Sequence, residues 1–246
     1  MRTFAVMGYL FAAAAACGDP LTFSSGTARV DVIELYTSEG CSSCPSADHW
    51  LGELRGKPGL WKEFVPLAFH VSYWDGLGWK DRLSSREYTD REYAYASAWG
   101  SRNVYTPCFV RNGQEWRPLW GGISAPAPAA GVLALSLGAD HACSVDFTPA
   151  QGSRAMADTL VAHVAILAGG ISSKVTACEN SGETLDHEFA VVCLVEGALE
   201  SEGGALRGRI LLPRPSTPDA KRHALAAWVT RRGSVEPLQA TGGWIP

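Results

Sequence analysis

The rhythm of apolar and polar positions changes several times along this chain, and each change marks an element. Val30 to Tyr36 reads VDVIELY, mostly apolar and β-rich, as a buried strand should be. Thr37 to Cys44 forms a turn containing Gly40. From Ser46 the spacing becomes helical: Ala47, Trp50, Leu51 and Leu54 fall at i, i+3, i+4 and i+7 on one face. Gly56, Pro58 and Gly59 stop that helix, and Val65 to Tyr73 (VPLAFHVSY) supplies the next strand. Strand, helix, strand in this order predicts a βαβ unit that crosses into a parallel sheet.

Ser84, with Glu87 three residues on, predicts the capping box of a second helix whose Tyr88, Tyr95 and Trp99 share a face and which Gly100 ends. Asn103 to Pro107 leads into a short strand, Cys108 to Arg111, which turns at Asn112-Gly113. Trp116 to Trp120 is the expected return strand. Beyond Gly121-Gly122 the composition shifts to Pro and Ala, and residues 125–138 read as a linker. Short β-like runs follow: Cys143 to Phe147, Val161 to Leu167, Lys174 to Cys178, Phe189 to Val195, Leu206 to Leu212 and His223 to Thr230. The expected architecture is an α/β domain over residues 28–124 and a mainly β, sandwich-like domain over 139–246.

A hydrophobic share of 46% with 19% charged residues is that of a globular protein. With a net charge of -4 and no run of Lys or Arg, nucleic acid is not an expected partner. Residues 1–16 read as a signal peptide: Arg2 is the positive end, an apolar stretch follows, and Ala12 to Ala16 offer a cleavage site. The stretch falls short of the ~20 apolar residues of a membrane-spanning helix, so no stable span is expected. The expected destination is the periplasm or the exterior. A lipoprotein anchored through Cys17 is the lesser alternative, since Ala14 stands where lipidation sites usually carry Leu.

Export suits a chain with seven cysteines. Setting aside Cys17 and the local pair Cys41 and Cys44 leaves Cys108, Cys143, Cys178 and Cys193, for which sequence leaves three pairings open. Cys178–Cys193 ranks first as a structural bridge because both lie on neighbouring strand-like runs.

The chemistry concentrates in Cys41-Ser-Ser-Cys44. A second C-x-x-C, or His and Cys at finger spacing, would point to zinc, and neither follows. A pair placed where a strand ends and a helix begins points instead to thiol redox chemistry, because the helix terminus stabilises a thiolate. Cys41 is the expected nucleophile, its sulfur meeting solvent, and Cys44 the resolving thiol. Pro45 fits if the helix starts early enough to place it in the first turn. Thr106-Pro107, ahead of a strand, is expected to be cis and to lie against the pair, aligning substrate backbone. Cys108 is either a third thiol near Cys41 or, on the weightier expectation, a small buried hydrophobe.

Glu34, in phase with Val32 and Tyr36, is a candidate proton shuttle for Cys44, against a solvent-facing alternative. Glu39 reads as an exposed loop charge, and His70 as a hydrogen-bonded core residue. The aromatics around Trp74 and Trp79 either line a peptide groove or pack beneath their loop. Asp186-His187-Glu188 has metal-compatible chemistry without matching partner spacing, so turn solvation is its expected role.

The segments ELYTSEGCSSCPSAD, LAFHVSYWDGLGWKD and VYTPCFVRNG, with ACENSGETLDHEFAVV in the second half, resemble a family of bacterial secreted thioredoxin-like proteins of unknown function, DUF1223. The resemblance spans nearly the whole mature chain and implies a thioredoxin-like N-terminal domain with an appended β domain. The family pattern has an acid where Ser72 stands and Gln where Cys108 stands. The combined expectation is an exported thiol–disulfide oxidoreductase acting on protein or small-molecule thiols and disulfides, with no cofactor. The alternatives are a copper(I) metallochaperone binding through Cys41, Cys44 and His70, and a non-catalytic binding protein stapled by Cys41–Cys44.

Overall fold

The computed structural model describes residues 20–118, 123, 127–214, 217 and 219–246. The expected leader, Cys17 and the Gly121-Gly122 boundary lie outside the described residues. Leu21–Ser24 forms β1, and the apolar run after Val30 forms β2 (Asp31–Thr37), buried along its whole length. Helix α1 (Cys44–Glu53) begins inside the cysteine motif, so Pro45 sits in the first turn, where its missing N–H costs no bond. β3 (Phe64–His70) then lies parallel to β2, with Asp31 opposite Phe64 and Thr37 opposite His70.

Helix α2 (Arg86–Ala98) is capped by Ser85, whose Oγ accepts the Glu87 N–H at 3.2 Å. The expected cap, Ser84, is instead drawn to Asp75, to which its hydroxyl donates at 2.7 Å. β4 (Cys108–Arg111) pairs antiparallel with β2 and turns through Asn112-Gly113, both at positive φ, into β5 (Gln114–Trp116).

The second half contributes β6 (Gly131–Leu137), β7 (Ala142–Pro149), β8 (Leu160–Gly169), β9 (Ile171–Lys174), β10 (Thr184–His187), β11 (Ala190–Glu202), β12 (Ala205–Leu211), β13 (Arg222–Arg231) and β14 (Pro237–Ile245). β6 occupies half of the segment read as a linker. Among the described residues no helix is long and apolar enough to cross a membrane.

The expected α/β thioredoxin-like domain followed by a separate sandwich-like domain is not what forms. The chain is mostly β, 47% strand against 15% helix, and a mixed 12-stranded sheet runs through both halves. β11 is the joint. Ala190 pairs in parallel with Ala68 of β3, the middle of β11 pairs with β8, and Glu200–Glu202 pair with β12. The reason is legible in β13. Ala224, Ala226 and Trp228 pack into one core with Val32, Leu35 and Phe69, while Leu225, Ala227 and Val229 pack into another with Val145 and Phe147. A strand apolar on both faces needs cover on both sides, which a two-layer sandwich detached from the first half does not provide.

Candidate active site: a divided thiol pair

The polypeptide leaves β2 at Thr37 and closes a tight turn before α1. The Cys41 N–H donates to the Ser38 carbonyl and the Cys44 N–H to the Cys41 carbonyl, each at 3.2 Å. Cys44 therefore opens the helix while Cys41 sits one turn ahead of it. The Thr106–Pro107 bond is cis, as expected, and the Thr106 carbonyl oxygen lies 3.7 Å from Cys41 Sγ. Trp74 fixes this segment by donating its indole N–H to Thr106 Oγ1 at 2.9 Å.

The two sulfurs differ in ionisation. A hydrogen bond from the Cys44 thiol lowers the Cys41 pKa to about 5 against the opposing effect of burial. Ser43, with its Oγ 3.2 Å from the sulfur, and Thr106 add to the lowering. Burial first, and then the neighbouring Cys41 sulfur, drive Cys44 far above the ordinary thiol range. Near neutral pH the pair favours a thiolate on Cys41 and a proton on Cys44.

Cys41 does not meet solvent as expected: it is 2% exposed, and Cys44 is fully buried. The cover comes from the loop between β9 and β10. Asn180 Nδ2 donates to the carbonyls of Glu39 (2.8 Å) and Cys41 (2.9 Å), and the Glu179 carboxylate accepts the Ser42 N–H at 2.9 Å. Gly40 lies beneath this loop, where an added Cβ would stand 3.3 Å from Cys178 Sγ, a tight contact. Replacing Asn180 by Ala leaves two carbonyls without their donor and should cost about 1–3 kcal/mol. The same variant should speed alkylation of Cys41, as read by mass spectrometry.

Cys178 thus lies against the motif turn, and Cys193 is on β11. All six described cysteines are free, so the expected Cys178–Cys193 bridge is not formed. Cys108, although directly after the cis proline, is a small buried residue whose thiol burial, reinforced by the Glu92 charge, raises to about 12. Glu92 itself supports the cis segment, its Oε1 accepting the Tyr105 N–H at 3.2 Å, and burial brings its pKa up to about 7.

Glu34 is committed elsewhere. Arg91 donates to both its oxygens at 2.9 Å, and the Tyr36 hydroxyl donates at 2.8 Å. Burial raises its pKa, but the Arg91 charge and these bonds outweigh that and hold it below the usual range. The polar group beside Cys44 is instead Thr37, whose hydroxyl donates to Asp48 Oδ2 at 2.6 Å. Sequence reasoning passed over Asp48, although it stands at i+4 from Cys44 and so on the same helix face.

Glu39 is not an exposed loop charge but a buried one, accepting the Trp79 indole N–H at 2.7 Å and facing His187 Nε2 at 3.1 Å. Trp79 is half-buried, its indole anchored to that buried carboxylate. His70 is a buried, hydrogen-bonded residue as expected, its Nδ1 2.6 Å from Asp81. The ligand-capable groups gathered around it are Asp48 and His187, not the two cysteines, so the copper(I) set of Cys41, Cys44 and His70 is not assembled.

A family model described as a protein of unknown function, DUF1223, matches residues 32–230. The chain belongs to the DUF1223 family. That match takes in the thiol motif, the cis proline and the loop bonded to the thiol turn. No curated protein matches the sequence. Among solved structures, protein AGR_C_4864 from Agrobacterium tumefaciens is similar with a TM-score of 0.60 and 24% identity, over 87% of this chain and 94% of that one. HBP35 of Porphyromonas gingivalis is similar with a TM-score of 0.58 and 14% identity, over 89% of this chain and 76% of that one. At these identities the likeness speaks to fold alone.

Proposed function

We propose that this DUF1223 protein performs thiol–disulfide exchange through Cys41 and Cys44, on protein or small-molecule thiols and disulfides outside the cytosol. The observation that carries the reading is the divided pair, a depressed Cys41 beside a protonated Cys44 at the cis Thr106–Pro107 segment. In the reducing direction the Cys41 thiolate attacks one sulfur of a substrate disulfide, forming a mixed disulfide and expelling the other sulfur as thiolate. Cys44 then loses its proton and attacks Cys41 Sγ, which forms the Cys41–Cys44 disulfide and releases the second substrate thiolate. Two electrons pass to the substrate, and oxidation of a dithiol is the same sequence reversed. The Thr106 carbonyl, beside the nucleophile, is placed to align an extended substrate backbone.

The test is trapping. Cys44→Ser expressed in its native compartment should accumulate discrete mixed disulfides through Cys41, released by reductant and absent in Cys41→Ser/Cys44→Ser. No adduct under either oxidising or reducing conditions would contradict the proposal. The burial of both sulfurs favours one alternative, a non-catalytic binding protein with a fixed Cys41–Cys44 staple. A very low reduction potential together with an unreactive Cys41 would select it.

A further inference from the structure

We propose that Asp48, His70 and His187 form a binding site for a divalent first-row transition ion, Zn²⁺ in the first instance, beneath the thiol turn. The three come from separate elements: Asp48 from α1, His70 from the end of β3 and His187 from the end of β10. One ligand-capable atom from each lies within 4.8 Å of the others. A modest inward shift brings such a set to metal-bonding distance.

Two buried atoms point to an occupant. His70 Nε2 and His187 Nδ1 have no hydrogen-bond partner among the described residues. His187 Nδ1 stands 4.0 Å from Asp48 Oδ1, beyond hydrogen-bonding range. Buried ring nitrogens left unpaired are uncommon.

The far side of each ring is provided for. His70 Nδ1 lies 2.6 Å from Asp81 Oδ2, and His187 Nε2 lies 3.1 Å from Glu39 Oε1. In the neutral tautomers that donate N–H to these carboxylates, the lone pair lies on the unpartnered nitrogen, which is how metal-ligating histidines are oriented. The two imidazoles are in contact, crossing at 82° with centroids 4.8 Å apart. Asp48 is held in the same way, Oδ2 taking the Thr37 hydroxyl and Oδ1 remaining toward His187.

Two imidazoles and a carboxylate suit Zn²⁺ and its neighbours, and the set lacks the thiolates that copper(I) prefers. Three protein ligands leave a fourth position. A cavity of about 220 Å³ is bordered by two of the three residues, Asp48 and His187, together with Pro45 and Leu185. The site does not depend on the redox reading, since neither cysteine belongs to it.

The test uses the full chain and the metal alone. Chelator-treated protein is titrated with Zn²⁺ by calorimetry and with Co²⁺ by visible absorption, beside Cys41→Ser/Cys44→Ser, His187→Gln and Asp81→Asn. Expected are stoichiometric binding retained by the double cysteine variant, and a Co²⁺ spectrum without sulfur charge transfer. Loss on the order of 100-fold or more is expected in His187→Gln, and about 10–100-fold in Asp81→Asn, whose carboxylate only orients His70. Circular dichroism confirms that each variant is folded, and Zn²⁺ should raise the wild-type Tm. Absence of binding by the wild-type chain would overturn the proposal, leaving a His187 imidazolium between Glu39 and Asp48 as the cluster's content. Binding that survives His187→Gln but is lost with the cysteines would overturn it as well, by placing the ion on the thiols.

Discussion

Replacing Arg91 by alanine should lower the stability of the fold by about 3–5 kcal/mol, read as a fall in the urea midpoint at pH 7. Arg91 is the partner of a carboxylate that is 1% exposed, and its guanidinium also lies over the rings of Phe69, Tyr95 and Trp228 at 5.1–5.4 Å. It therefore ties β2, β3, α2 and β13 together at the place where the two halves of the chain share a core. Removing it leaves Glu34 charged, buried and unpaired, and an unpaired buried charge costs more than the intact pair contributes. The pH dependence has a definite sign. In the wild type the folded pKa of Glu34 is lowered, so its contribution is full above the unfolded value of 4.5 and is lost as pH falls through the folded value. In Arg91→Ala burial is opposed only by the Tyr36 and Tyr95 hydrogen bonds, the folded pKa rises, and the deficit should shrink as pH falls and Glu34 takes up a proton. Pairing the change with Glu34→Gln should recover much of the loss. A deficit below about 1 kcal/mol, within the range of an exposed ion pair, would mean that this pair does not carry the junction.

The second large effect is on redox poise. A nucleophile titrating at about 5 stabilises the reduced state at neutral pH, because the thiolate exists there only when the disulfide is open. Between pH 5 and pH 7 this amounts to roughly 3 kcal/mol, and the pair should be roughly 60 mV more oxidising than one whose thiol is unshifted. The shift is a lowering, so the thiolate's contribution to the reduced protein is full above the unfolded thiol value and disappears as pH falls through about 5. Glutathione equilibration followed by mass spectrometry reads the potential. A value as low as that of structural disulfides, below roughly -300 mV, would oppose this assignment and favour the staple.

How much of this was legible in the sequence varies with the range of the interactions involved. The β2–α1–β3 order, the cysteines at the strand–helix junction and the Asn112-Gly113 turn depend on neighbours within a few residues, and each was readable. β6 is obscured because Pro and Ala on its N-terminal side set the composition, although Leu133, Leu135 and Leu137 alternate with Ala134 and Ser136 as a strand requires. The unbroken apolar run of β13 predicts a strand, but the cover that both its faces need comes from residues distant in sequence, so separate domains are what the local pattern suggests. The cover over Cys41 and the burial of Glu39 depend on Asn180 and His187, more than a hundred residues away, and no local pattern announces such contacts. Asp48 is the exception among the missed residues, being one helical turn from Cys44 and open to the same periodicity argument that placed the helix.

The ionisation of Cys41 decides between a reactive pair and an inert one, and it can be read directly. Reduced protein is pulsed with iodoacetamide across a pH series, and each cysteine is quantified by peptide mass spectrometry. The rate at Cys41 should rise through an inflection at about pH 5 and level off before neutrality, with Cys44 untouched throughout. An inflection near 8.5, the value of an ordinary thiol, or label found on the other cysteines while Cys41 stays unmodified, would contradict it.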